Sequence, residues 1–288
     1  MSLVRQPKNP IPREACSSLD SFTICPQLHA FGYEMGLQPT ERKEALILGS
    51  LIHVGLAYRY GMRMNPRPEW LVYPNAQAPN GRDAIWTIGH QDRDLAEKAL
   101  KIFDAYEAYY TQPTLQPVLV EHQLEAMFVI DGQPVRYTLR IDLLAYDHSA
   151  EGGGLLTLAD HKSAYKLTKW IGHNYRADRE MLTGLALTRA AGYNVERVMI
   201  NAIQKGSKEK PEPQFQRYGV PISETAYARI GAETEFWLRR MRDIRITHPN
   251  PEDRPRSYAS CMRKYGLCDF YSVCADGPHN LAQFTRKW

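Results

Sequence analysis

The chain has 288 residues, 43% hydrophobic and 24% charged, which is enough apolar material for a full core and too much for wholesale disorder. Lys and Arg number 36 against 32 Asp and Glu, and the resulting +4 charge and pI near 8.7 permit a polyanionic partner without demanding one. No window approaches the roughly 18 apolar residues of a membrane span, and residues 1–14 lack a signal-peptide core, so a cytoplasmic location without membrane contact is expected.

Residues 1–16 are Pro-rich and polar and read as an arm, after which 17–37 reads as a capped helix broken near Pro26. Residues 44–61, EALILGSLIHVGLAYRYG, carry apolar residues at helical spacing and predict a buried amphipathic helix. The stretch 62–91, dense in Pro, Asn and Gly, is expected to be a loop, and 92–111 a charged helix. From Pro117 the period becomes extended. VLVEHQLEAMFVI, PVRYTLRIDLLAYD and GLLTLADHKSA form three β segments, separated by Asp131-Gly132 and by Glu151-Gly152-Gly153-Gly154, and so an antiparallel meander. Residues 174–193 follow as a helix ended by Gly192, then VERVMINAIQK as a strand, a loop over 205–221, a helix over 222–247 whose polar side carries Arg239, Arg240 and Arg242, and a short cysteine-bearing end. No repeat and no Walker-type phosphate loop is present.

The stretch 137–166 concentrates the chemistry. In LLTLADHKS, Asp160 and Lys162 fall on one face of a strand behind apolar Leu156 and Leu158, and Asp142 lies one hairpin away. Two carboxylates and an ammonium there suit a hard cation with a cationic helper, the equipment of metal-assisted phosphodiester cleavage. Glu121 and Glu125, on one face of the first strand, read either as further ligands or outer acceptors, or as solvated carboxylates. His53, among Leu51, Ile52 and Leu56, reads either as a ligand or as a core histidine.

These elements resemble the PD-(D/E)xK nuclease superfamily, in particular its RecB-like exonuclease branch with CRISPR-associated and phage-encoded members. Asp142 in LRIDLL matches the first carboxylate, Asp160-His161-Lys162 the (D/E)xK element, His53 in GSLIHVGLAY the branch's helix-borne histidine, and Cys25-Pro26 its amino-terminal motif. The resemblance implies an α/β fold with a restriction-endonuclease-like core, a mixed central sheet flanked by helices, together with a helical amino-terminal region and a cysteine-cluster clasp joining the termini. The corresponding division is an arm and helix over 1–43, a nuclease core over 44–221, and a helix and cysteine segment over 222–288. It implies Mg²⁺ or Mn²⁺ held by His53, Asp142, Asp160 and a main-chain carbonyl near His161, with Asp142, Asp160 and Lys162 catalytic. The sequence departs from the family at the usual Gln-x-x-x-Tyr motif. The aligned stretch is 178–185, DREMLTGL, where Glu180 stands near the missing glutamine; Tyr175 and Arg176 lie just upstream.

The five cysteines are not expected to form a disulfide framework. Cys261, Cys268 and Cys274, with Cys25 as fourth, suit a [4Fe–4S] cluster or Zn²⁺; spacing argues weakly against a zinc ribbon, and the resemblance argues for iron–sulfur. Simple burial of all five is the bland alternative, and Cys16 is left over. Lys166, Lys169, Tyr175 and Arg176, with Tyr165 and Trp170 interleaved and Lys205, Lys208 and Lys210 further on, suit contact with DNA ends or single strands. The expected function is a DNA exonuclease of recombination, repair or phage DNA processing, with a helicase, annealing or CRISPR-adaptation partner. Its rivals are a structure-specific endonuclease on the same fold and a catalytically weak DNA-binding subunit.

Overall fold

The computed structural model describes residues 12–40, 43–64, 80–151, 153–164, 166–206, 212–263 and 266–286. Tyr165, Lys208 and Lys210, named above as candidate DNA contacts, lie outside the described residues. In chain order the elements are β1 (Arg13–Ala15), α1 (Cys16–Ile24), α2 (Pro26–His29), β2 (Leu37–Pro39), α3 (Glu44–Gly61), α4 (Gly81–Ile88), α5 (Arg93–Tyr109), β3 (Leu115–Ile130), β4 (Gln133–Asp147), β5 (Leu155–Ala164), α6 (Ile171–Asn174), α7 (Arg179–Ala190), β6 (Arg197–Gln204), β7 (Gln214–Gly219), α8 (Glu224–Thr247), β8 (Met262–Arg263), β9 (Gly266–Leu267), α9 (Tyr271–Asp276) and β10 (Phe284–Arg286). They divide into two compact units, one of residues 1–41, 125–139 and 229–288, the other of residues 42–124 and 140–228.

The larger unit carries the mixed sheet flanked by helices. Its strands run in the order β4-β5-β6-β7, with β3 also paired to β4. The β4–β5 ladder is antiparallel, β5–β6 parallel across the α7 crossover, and β6–β7 antiparallel. Because β5 has a strand on both sides and layers on both faces, every residue from Leu156 to His161 is buried. α3 and α5 present Leu51, Ile52, Leu56, Phe103 and Tyr106 to this core, which Leu143, Ala159, Met199 and Phe215 complete from the sheet. α3 has the predicted bounds; Glu44 favours its first turn, and the residues it buries fall in its second half, from Leu51 to Gly61.

Three expectations need correction. Residues 81–91 are helical rather than loop: the Asn80 side chain caps α4 by accepting from Asp83 N at 3.1 Å, and Ala84 and Ile85 are buried. Gly81 allows the close packing, since a Cβ there would lie 2.6 Å from the Phe103 ring. Within 205–221, residues 214–219 form strand β7 along β6. The helix expected over 174–193 begins at Arg179, where Asp178 caps it by accepting from Met181 N at 3.1 Å, and α6 is a separate turn before it.

The smaller unit gathers residues from both ends of the chain. β1 pairs in parallel with Arg136–Thr138 of β4, and β10 pairs antiparallel with β2. Phe31, Leu37, Phe270 and Val273 form its apolar centre. Beside α8 lies a buried polar network. Arg245 bridges Glu14 (2.5 Å) and Glu34 (2.7 Å), Arg254 reaches Glu34 at 2.8 Å, and Ser18 bonds Glu14 and His29 at 3.1 and 3.0 Å. Every charge there is paired, which is the condition for burying it.

Candidate active site and cysteine cluster

The β4–β5 register runs from Asp147–Leu155 to Leu143–Ala159 and stops one pair short of Asp142 and Asp160. There His161 N donates to the Asp142 Oδ2 carboxylate oxygen at 2.8 Å. On the other side of β5 the ladder with β6 continues to Ala164. The two acidic side chains therefore stand where β4 and β5 part, on a strand still held from behind.

α3 brings His53 to this fork, half-exposed, with Nδ1 3.6 Å from Asp142 Oδ2. Burial would lower the His53 pKa, but the Asp142 carboxylate outweighs it and raises it. β3 supplies Glu121, whose φ of +47° is left-handed, a strained state for a residue with a side chain. Among the described residues, ligand atoms of His53, Glu121 and Asp142 form a set lying mutually within 4.8 Å. Glu125 instead faces Arg136 at 3.8 Å and is not in that set. The two-residue period that equated Glu121 with Glu125 is broken by the left-handed residue itself.

Lys162 Nζ lies 3.0 Å from Asp160 Oδ2 and 2.8 Å from Glu180 Oε2 on the first turn of α7. Burial opposes its charge, yet the two carboxylates raise its pKa, so it is an ammonium. Burial and then the Asp142 charge push the Asp160 pKa up, and the same two causes raise that of Glu121. Burial also disfavours charge on Asp142, but the neighbouring His53 imidazole, then His161 with its main-chain donor, hold its pKa down. Two carboxyl groups and an imidazole, with Asp160 outside that set but beside Asp142 in the fork, fit a divalent cation, which would relieve the repulsion that helps raise Asp160 and Glu121. Oxygen donors plus one imidazole suit Mn²⁺ as well as Mg²⁺.

The His161 ring is buried behind these groups, meeting the His53 ring edge-on at 5.9 Å. Nδ1 meets Asn201 Nδ2 at 2.8 Å, the ring stacks on Tyr60 at 5.6 Å, and burial lowers its pKa to about 3. Asn201 also donates to Tyr106 Oη at 2.8 Å, and the Tyr106 and Tyr60 hydroxyls are 2.8 Å apart. Sequence reasoning passed over these three residues. The available signal was Asn201 inside the apolar run VMINAIQ, since an amide buried in such a strand needs partners.

The family model of the PD-(D/E)XK nuclease superfamily matches residues 14–275. The chain belongs to the PD-(D/E)XK nuclease superfamily. Its mixed sheet flanked by helices is the restriction-endonuclease-like core of that family, whose activity is phosphodiester hydrolysis and whose members typically use Mg²⁺ or Mn²⁺. A crystal structure from Eubacterium rectale, provisionally described as an exonuclease, is similar in fold at TM-score 0.53 and 13% identity, over 89% of this chain and 86% of that one. The structure of SSO0001 matches over 81% of this chain and 96% of that one at 12% identity, with a TM-score of 0.35. No curated protein matches in sequence. Among the described residues no helix is long and apolar enough to cross a membrane.

In the smaller unit, Cys25, Cys261, Cys268 and Cys274 line one enclosure with Leu28, Phe270 and Tyr271. Cys25 sits in the extended break between α1 and α2, with Pro26 opening the second helix. Ser257 N donates to its sulfur at 3.4 Å, and Cys268 N donates to Cys261 O at 2.8 Å. None of the four is in a disulfide, and burial, then the other three sulfurs, raise the Cys274 pKa against the lowering effect of Arg256. A soft cation would relieve that crowding. Among the described residues no three of these sulfurs lie mutually within 4.8 Å, whereas tetrahedral zinc with bonds of about 2.3 Å holds its sulfurs about 3.8 Å apart. The enclosed space is about 20 Å³, so loading a cluster larger than a single ion requires the side chains to spread. Cys16 lies elsewhere, buried in α1 with its thiol 3.9 Å from Asp20.

Proposed function

We propose that this nuclease is a RecB-like, metal-dependent DNA exonuclease of recombination, repair or phage DNA processing, with Asp142, Asp160 and Lys162 as its catalytic groups. The observation that carries the reading is the fork, where the His53, Glu121 and Asp142 ligand atoms lie within 4.8 Å of one another and the Asp160–Lys162 pair closes at 3.0 Å on the adjoining strand. His53, Asp142, Asp160, the His161 carbonyl and, from its position, Glu121 would hold Mg²⁺ or Mn²⁺, which supplies electrophilic assistance to the phosphate and acidifies water there. Lys162 offsets charge developing on the scissile phosphate, and Glu180 holds its ammonium in place. The His161 amide orients Asp142. Lys166, Lys169, Tyr175 and Arg176, in the segment joining β5 to α7, receive the DNA strand.

The smaller unit carries a [4Fe–4S] cluster on Cys25, Cys261, Cys268 and Cys274, with zinc as the alternative. Four thiols without paired C-x2-C knuckles support iron over a zinc ribbon. Residues 1–43 and 222–288 then serve as accessory segments to a nuclease core at 44–221. Glu180 near the place of the usual glutamine favours one rival, a catalytically weak DNA-binding subunit working with a helicase, annealing or CRISPR-adaptation protein. Labelled linear and covalently closed circular DNA, incubated with and without Mn²⁺, tests the reading. Metal-dependent loss of linear DNA alone is expected, cutting of circles would make it an endonuclease, and no turnover on either would make it the binding subunit.

A further inference from the structure

Trp170 is 57% exposed, although a tryptophan gains more from burial than any other side chain. The backbone around it is tied at several points. Leu167 N donates to the Gln204 side chain at 3.0 Å, Ile171 N to Thr168 O at 3.1 Å, Asn174 N to Trp170 O at 3.0 Å, and Ser223 N to Arg176 O at 2.9 Å. Ile171 and Gly172 are buried, and a Cβ at position 172 would collide with the main-chain oxygen of Gly219, so α6 is pressed against β7. The indole is thus displayed from a fixed platform.

The sheet register places that platform. Gly219 pairs with Met199, and Met199 pairs with Ala159, the residue before Asp160. Two strand spacings of about 4.8 Å put the Gly172 contact about 10 Å across the sheet from the fork, the reach of about three stacked bases at about 3.4 Å each. The ring's surroundings are cationic and aromatic: Lys169 Nζ lies 5.2 Å from its centroid, the His173 ring meets it edge-on at 5.6 Å, and Lys166 and Arg176 are exposed on the same segment. Cations for phosphates around a largely exposed indole, from which a mobile lysine can be displaced, suit an unpaired nucleotide better than an apolar protein surface.

We propose that Trp170 is a stacking platform for an unpaired base of the substrate strand, one to three nucleotides from the scissile phosphate, and that it sets a preference for single-stranded or frayed ends. The proposal rests on the nuclease reading and adds the substrate's form to it.

The test measures affinity of wild type, Trp170→Phe and Trp170→Ala for a labelled single-stranded oligonucleotide and a blunt duplex of equal length, with Ca²⁺ in place of the active metal. An abasic position is then walked along the single strand. Single-strand affinity should fall about 5- to 100-fold in Trp170→Ala and much less in Trp170→Phe, with little change for the duplex. The wild type should lose affinity sharply at one abasic position, and Trp170→Ala should be indifferent to it. In turnover with Mn²⁺, KM should rise more than kcat falls. Equal single-strand affinities, or the same abasic profile in both proteins, would overturn the proposal. A wild type that hydrolyses no phosphodiester sinks the nuclease reading instead, while the binding arms still judge Trp170.

Discussion

The carboxylate fork and the cysteine enclosure solve the same electrostatic problem with different scaffolds. At the fork, like charges are gathered by regular structure: β4 and β5 deliver Asp142 and Asp160 at the end of a ladder, and α3 delivers His53. The thiols come from a helix break, a 3₁₀ turn, a hairpin edge and a short helix, with little regular structure between them. A site built on a ladder keeps its shape without an ion, because main-chain bonds hold it. A site built on connecting segments depends on what it binds for much of its order.

The largest expected difference is in activity. Asp160→Ala and Lys162→Ala should each lower turnover on the order of 10³-fold while leaving the fold and any visible absorption intact. Wild-type rates in both variants would dissolve the fork's catalytic role. Next comes the enclosure. Anaerobically purified protein should be brown with about four irons per chain, and serine at Cys25, Cys261, Cys268 or Cys274 should bleach it and lower its melting temperature. A hard-metal chelator should stop cleavage without bleaching. Colourless protein holding stoichiometric zinc would remove iron and leave the fork intact.

The smaller unit should be acid-sensitive, as the buried His161 makes the larger one. Burial, then the Arg245 charge, lower the His29 pKa from 6.5 to about 4 despite Glu14 and Glu34 nearby, with Arg254 adding to the lowering. The unfolded chain therefore binds a proton between those values that the folded chain refuses, so stability is full above pH 6.5 and is lost as pH falls toward 4. The loss should be about 3 kcal/mol, read from denaturant midpoints across that range, and His29→Gln should flatten the dependence. Glu34, whose pKa is lowered by Arg245 and Arg254 against the effect of burial, adds to the loss at the acid end.

A smaller effect separates ligand from bystander in the larger unit. Glu121→Gln should raise the Mn²⁺ concentration needed for half-maximal activity by roughly 10- to 100-fold, whereas Glu125→Gln should leave it unchanged. Equal responses would restore the symmetry that strand alternation suggested. Smallest of all, Cys16→Ser should cost about 1 kcal/mol of stability and no colour, since its thiol lies outside the enclosure.

The regular elements were the readable part of this molecule. Period alone marked α3 to the residue, and alternation bounded by Asp131-Gly132 marked the meander. α4 escaped because Pro, Asn and Gly crowd the approach to it, although Asn80 with Asp83 three residues on was a usable start signal. β7 escaped because six residues flanked by Lys and Pro have no period of their own and form a strand by pairing with β6. At the fork, residue types and spacing suggested which groups gather. The left-handed turn at Glu121, which parts it from Glu125, depends on tertiary packing that no local pattern encodes, and the Tyr60–Tyr106–Asn201 chain behind His161 showed locally only as Asn201 in an apolar run, its partners being set by packing.

One main-chain proton sits where β4 and β5 part. The His161 amide donates to the Asp142 oxygen that also lies nearest His53. A cation drawing on Asp142 competes for that same oxygen, so the nuclear resonance of this single amide would shift as metal is added, and its exchange with deuterated solvent would quicken. Neighbouring amides that point into β6 would stay protected by a ladder that does not open. Occupancy of the fork can thus be followed in the resting protein, one hydrogen at a time, with no substrate present.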